Sequence, residues 1–212
     1  LSTNAIIEKT FAPAGMIISA GPGIDPRNYF LTDDFHLVSG AMDHRGREYV
    51  PIDPREIASV ARKLKERNVA GVGVVSKFSA KNPAHEQAIL SLIKPGFEHV
   101  SMGHTLSGNL NFPRRIHTTY FNTAVMPLQN RFLLAVKKAF AGLGIDSRLH
   151  ILKADGGTCT AASAGEHPVE TILSGPAASM MGGLALSTEP DVATLMMDIG
   201  GTTTDMGILI EG

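Results

Sequence analysis

The stretch "VAGVGVVSKF" at residues 69–78 constrains the fold most. It is apolar and β-rich with no polar alternation, the pattern of a parallel strand covered on both faces. Such a strand needs helices above and below it, and its neighbours read as helices. "DPREIASVARKLKERN" (53–68) has Asp53 as its cap, Pro54 at the first position and Glu56 three residues after the cap. Ile57, Val60, Ala61 and Leu64 form its apolar stripe. "NPAHEQAILSLIK" (82–94) opens on Asn82 and Pro83 and is stopped by Pro95.

The alternation extends in both directions. "AGMIISAG" (14–21) predicts a buried strand closed by a turn, and "FHLVSGAMDHRGREYVPI" (35–52) two extended segments around a turn at His44–Gly46. "EHVSMGHTL" (98–106) predicts the next strand. "RIHTTYFNTAVM" and "PLQNRFLLAVKKAFAGLG" predict a long helical stretch kinked or broken at Pro127, with Leu128, Phe132, Ala135, Val136 and Phe140 on its apolar face. "RLHILKADGG" (148–157) reads as a strand entering a tight turn, "SGPAASMMGGLALS" (174–187) as a helix, and "VATLMMDIGGTTTDMGILI" (192–210) as strand, turn, strand. The expected class is α/β with a mainly parallel sheet.

Composition removes several classes. The chain has 212 residues, a net charge of −1, 43% apolar and 18% charged residues. That is an ordinary globular balance with no basic footprint for nucleic acid. Cys159 is the lone cysteine, which fits a reducing compartment and a cytoplasmic reading. No run approaches the roughly 18 apolar residues of a membrane span. The chain opens at Leu1 without a methionine and ends at Gly212 soon after a strand-like segment, so it reads as a piece of a larger polypeptide.

The chemistry concentrates in "MMDIGGTTTD" (196–205). Gly200 and Gly201 let backbone N–H groups approach an anion, and Thr202, Thr203 and Thr204 add hydroxyl donors. Asp198, at the mouth of the strand, is placed to hold a hydrated Mg²⁺ or to order an attacking water, and Asp205 to fix the turn or approach the metal shell. There is no Walker pattern, and a strand rather than a helix follows, so the expected device is a phosphate gripped by a β-hairpin, as in the actin, Hsp70 and sugar-kinase superfamily. Two further segments are candidates for the same cleft. "KADGGT" (153–158) offers Asp155, Gly156 and Gly157, either as a ligand loop or as a tight turn. "SGPAAS" (174–179) offers Ser174 and Gly175 at a helix start. Gly182 and Gly183 inside that helix point to tight helix–sheet packing.

These motifs resemble the hydantoinase/oxoprolinase family. "LKADGGTCTAASAGEHPVETILSGPAASMMGGLAL" followed by "MMDIGGTTTD" carries the resemblance most specifically, and "LSTNAIIEK", "FSAKNPAHEQAI" and "RRIHTTYFNTAVMPL" extend it over nearly the whole chain. It implies part of an actin-like ATPase fold (ribonuclease H-like), truncated at both ends, in which residues 1–147 follow a missing N-terminal phosphate loop. Residues 148–212 would then start the second ATPase subdomain. It also implies ATP and Mg²⁺ as cofactors, a cyclic amide such as a hydantoin or 5-oxoproline (or a ketone) as substrate, and a partner hydantoinase B-type subunit. Family members carry another D-x-G-G-T-x-T-D loop upstream that this chain lacks, so the isolated piece is expected to be inactive. The alternatives are a sugar kinase-like protein of the same superfamily and a non-catalytic α/β module.

The remaining candidates carry weaker signals. His85 and Glu86 read as an acid/base pair or metal ligands, or as helix-end surface residues. His99 and His104 lack zinc spacing. Arg114 and Arg115 read as a carboxylate clamp or, more simply, as a solvated helix start. Cys159 reads as a small residue near a turn.

Overall fold

The computed structural model describes residues 1–186, 193–201 and 203–210. The elements run α1 (Ser2–Ile7), β1 (Ala14–Ser19), β2 (Phe35–Val38), β3 (Ala41–Met42), β4 (Glu48–Val50), α2 (Pro54–Glu66), β5 (Gly71–Ser76), α3 (Ala84–Ile93), β6 (His99–Met102), α4 (Gly103–Leu106), α5 (Phe112–Gly142), β7 (His150–Leu152), β8 (Thr158–Thr160), α6 (Ala161–Glu166), α7 (Ser174–Leu186), β9 (Thr194–Ile199) and β10 (Thr204–Leu209). Short 3₁₀ turns occupy Pro26–Tyr29, Lys94–Gly96 and Pro168–Thr171.

The centre is a four-stranded sheet in the order β2-β1-β5-β6, parallel throughout. All six residues of β1 and all six of β5 are buried. This is the two-sided covering that the unalternating run at 69–78 requires. On one face Ile17, Val72 and Val74 pack against Ile57, Val60 and Leu64 of α2 and Ile89 and Ile93 of α3. On the other, Met16, Ile18 and Val75 meet Phe112, Ile116, Tyr120 and Ala124 of α5. Three two-stranded antiparallel ribbons, β3-β4, β7-β8 and β9-β10, form separate sheets.

The local signals mostly act as read, with instructive departures. Asp53 caps α2 through the Arg55 N–H at 2.8 Å. Glu56 does not close a capping box: its carboxylate accepts from the Ser39 N–H (2.7 Å) and hydroxyl (2.6 Å), tying α2 to the end of β2. The segment at 35–52 makes three strands rather than two, with the turn at 44–46 as expected. The strand at 98–106 stops at Met102, where residues 103–106 turn into α4. Pro127 does not divide the long helix, and α5 runs for 31 residues. Its second half buries Gln129 and Leu133, while Phe132 and Leu134 are exposed. There α5 packs on α6, where Leu133 meets Ala161 and Ala164, and on α1, where Gln129 accepts from Ser2.

Asn122, in the first half of α5, ties the helix to β6 and to the end of α6. Its side chain is fully buried, donates to Ser101 Oγ and Glu166 O, and accepts from the Val169 N–H. Thr3 of α1 accepts the Leu173 N–H at 2.8 Å, fixing the residue just before α7.

Candidate functional site

The glycine- and threonine-rich segment forms the tip of an antiparallel hairpin. Ile199 pairs with Thr204 and Asp198 pairs directly with Asp205. The Gly200 N–H donates to Thr203 O at 2.9 Å and closes the turn. A Cβ on Gly201 would meet nothing within 4 Å, so this part of the tip is open. Thr202 lies outside the described residues.

Direct pairing puts both carboxylates on one face of the ribbon, and that face lies on α7. Asp198 Oδ2 accepts a 2.5 Å hydrogen bond from Ser179 Oγ. Pro176, Ser179, Met180, Met196, Asp198, Asp205, Met206 and Gly207 enclose a cavity of about 20 Å³, room for one water-sized guest. Two carboxylates facing each other across a ribbon repel. A hard cation with a partial water shell relieves that repulsion, and Mg²⁺ is held by one or two carboxylates plus water and phosphate oxygens. The donor set here fits that ion. Among the described residues there is no group of three or more His, Cys, Asp or Glu side chains able to hold a metal.

Helix α7 approaches the ribbon through two glycines. A Cβ on Gly183 would collide with Met196 Sδ, and one on Gly207 with Met180 Sδ. The close packing expected for the helix glycines therefore holds at Gly183, whereas Gly182 faces open space. Ser174 is the first residue inside α7, and no atom lies within 4 Å of a Cβ placed on Gly175. The partner that the sequence reading missed is Ser179. Its signal was its position one turn after Pro176, on the helix face that meets the ribbon.

Asp155, Gly156 and Gly157 form the β7-β8 turn. Asp155 accepts from Lys153 Nζ (3.0 Å) and the Gly157 N–H (2.9 Å). The Lys153 ammonium and then the Gly157 N–H hold its carboxyl below the usual range. That is the tight-turn arrangement, and the turn reaches α7 through Gly156 against Met181 rather than against Asp198. Cys159 is half-buried, and burial pushes its thiol up, away from reactive thiolate. A larger groove, of about 830 Å³, runs along the free edge of β6 beside α5 and α6, and of the residues singled out in the sequence His99 lines it.

Of the residues for which a surface position is one reading, Arg114 is exposed, whereas His85, Glu86 and Arg115 are buried. Glu86 and Arg115 are fully inaccessible and His85 nearly so. Glu86 accepts from the Ser76 N–H (2.8 Å), the His104 N–H (2.9 Å) and His104 Nδ1 (2.5 Å). His85 Nε2 meets Glu48 Oε1 at 2.6 Å.

A parallel α/β sheet together with a separate glycine-tipped hairpin with paired aspartates defines the class: an α/β protein with a candidate phosphate-binding hairpin. The comparisons give the family. Residues 1–96 match the hydantoinase/oxoprolinase N-terminal region, and residues 115–212 match hydantoinase/oxoprolinase. The chain belongs to the hydantoinase/oxoprolinase family. It is 24% identical to caprolactamase subunit alpha of Pseudomonas jessenii over 97% of this chain and 33% of that protein. The crystal structure of that ATP-dependent caprolactamase superposes with a TM-score of 0.79 over 98% of this chain. The chain is 23% identical to 5-oxoprolinase of Saccharomyces cerevisiae over 87% of its length and 15% of the relative. A nucleotide-free acetone carboxylase structure superposes with a TM-score of 0.81 at 20% identity, over 99% of this chain and 34% of that one. The α/β fold with its parallel sheet is that of these structures, consistent with an actin-like ATPase fold. The chain spans about a third of the length of the caprolactamase subunit.

Proposed function

We propose that these residues belong to an ATP-dependent enzyme that opens a cyclic amide such as a hydantoin or 5-oxoproline. The observation that carries this reading is the pairing of Asp198 with Asp205 beneath the open Gly200–Gly201 tip, on Ser179 of α7. Backbone N–H groups and the hydroxyls of Thr203 and Thr204 would receive the phosphates of ATP, and Asp198 with Asp205 would hold Mg²⁺. ATP supplies the phosphoryl group that makes an amide carbon electrophilic enough for water to add and the C–N bond to break. Asp155, Ser174 and Gly175 border the same helix and are proposed to line the nucleotide side of the cleft.

In this reading residues 1–147 form one α/β region and residues 148–212 begin a second ATPase subdomain. With about a third of the caprolactamase subunit's length, the 212 residues carry one phosphate grip and an incomplete site. The caprolactamase relative is a subunit alpha, which supports a hydantoinase B-type partner. Among the described residues no helix is long and apolar enough to cross a membrane. A cytoplasmic location is proposed from the lone cysteine.

Calorimetric titration of Mg-ATP into the full-length polypeptide tests the reading. Saturable heat that Gly201→Val abolishes is expected, because the added side chain obstructs the N–H groups at the tip. Equal heat in both proteins would refute a phosphate role for the hairpin.

A further inference from the structure

The strand order β2-β1-β5-β6 reverses direction between β1 and β5: from β1 the chain first moves to β2 on one side, then returns to β5 and β6 on the other. In open parallel sheets the crevice at the carboxyl ends of the strands flanking such a reversal is where ligands bind. Here the crevice lies between the loop after Ser19 and the turn after Ser76.

Two cations stand at the carboxyl end of β5, and neither makes an ion pair among the described residues. Arg115, from the first turns of α5, is completely buried. Its Nη2 donates to Ser76 O at 3.1 Å, while Nε and Nη1 have no partner. Glu86 is near enough to favour its charge, but burial weighs more and pushes the guanidinium down. The Glu86 oxygens are already taken by Ser76 and His104. Lys77, the next residue after Ser76, places Nζ 2.5 Å from Pro22 O, and no carboxylate pairs with it among the described residues.

The turn around Lys77 is built for more than chain reversal. Phe78 sits at φ +62°, where a bulky side chain is strained, and such strain clusters at functional sites. Gly23, at φ +106°, leaves the space into which Lys77 Nζ projects, since a Cβ there would lie 2.8 Å from the ammonium. The hydroxyls of Ser76 and Ser79, each 1% exposed, have no hydrogen-bond partner. A buried guanidinium whose Nε–H and Nη1–H lack acceptors is costly, and an oxygen-rich anion supplies them.

We propose that the crevice at the carboxyl ends of β1 and β5 is a binding site for a small oxyanion, a carboxylate or phosphate group, held between Lys77 and Arg115. Lys77 leaves the Pro22 carbonyl to meet the anion, and Arg115 supplies the fixed buried charge. This site is independent of the hairpin and of the nucleotide proposed there.

Titration calorimetry of the full-length polypeptide with acetate and, separately, inorganic phosphate at constant ionic strength tests the assignment. At least one anion is expected to bind saturably, with affinity reduced about tenfold or more in Lys77→Gln and recovered in Lys77→Arg. Arg115→Met is expected to lose binding. The Lys77 variants decide the matter if Arg115→Met fails to fold. Saturation by acetate assigns a carboxylate ligand, and saturation by phosphate alone assigns a phosphate. Failure of both anions to saturate, or unchanged binding in Lys77→Gln, overturns the proposal. So does loss of binding in Gly201→Val, which would place the anion on the hairpin.

Discussion

Glu86 illustrates how much one side chain can hold. Its carboxylate, fully buried, links α3 to the ends of β5 and β6 and supplies the negative charge nearest Arg115. Glu86→Ala removes three hydrogen bonds at once and leaves a buried cation uncompensated. The expected loss is about 3–5 kcal/mol, read from the urea midpoint at unchanged slope. Asp43 works at the surface. The Arg47 N–H, the Arg45 N–H and the Arg47 side chain bring its carboxyl from 3.8 down to about 2. A lowered folded-state value means the turn is held above the ordinary value and released as pH falls through the folded one. The amide signals of Arg45 and Arg47 should therefore move together between about pH 4 and pH 2. Movement centred above pH 5 would contradict this.

At the scale of elements, the two helix glycines predict opposite outcomes. Gly182 faces open space, so Gly182→Ala should raise stability by about 0.5–1 kcal/mol. Gly183→Val must push Met196 off the helix, so it should lower the melting temperature and expose the β9-β10 amides to exchange. Equal behaviour of the two variants would mean α7 does not seat the ribbon. The sequence alone shows such elements unevenly. Asp53 and Pro54 announce the start of α2 because a cap is a contact between near neighbours. The unalternating β5 is legible because two-sided burial leaves its mark in one segment. The hairpin tip is legible for the same reason. Glu56 is not, since its partner Ser39 comes from another element. Arg115 also escapes: an arginine in the first turns of a helix looks solvated until α5 is laid across the end of β5.

At the scale of the molecule, the ribbon has two unlike faces. One carries the aspartates onto α7. The other presents Leu195, Met197, Ile199, Met206, Ile208 and Ile210, each more than half exposed. Six apolar side chains side by side on a sheet make a patch of the kind soluble monomers seldom leave bare. The 212-residue chain should bind a hydrophobic dye, and Ile208→Lys should reduce that signal severalfold without changing far-UV dichroism. Dye binding that persists in the variant would place the exposed apolar surface elsewhere.

Helix α1 has a consequence in time. Ser2 contacts Gln129 and Thr171, and Thr3 contacts Leu173, so α1 is finished by partners 127 to 170 positions downstream. The parallel sheet needs only residues 14–102 and the helix that ends at Gly142. On a ribosome adding roughly 5–20 residues per second, that core closes while α1 is still waiting. Helix α1 is thus a late strap, and it fastens only once the residue preceding α7 has arrived.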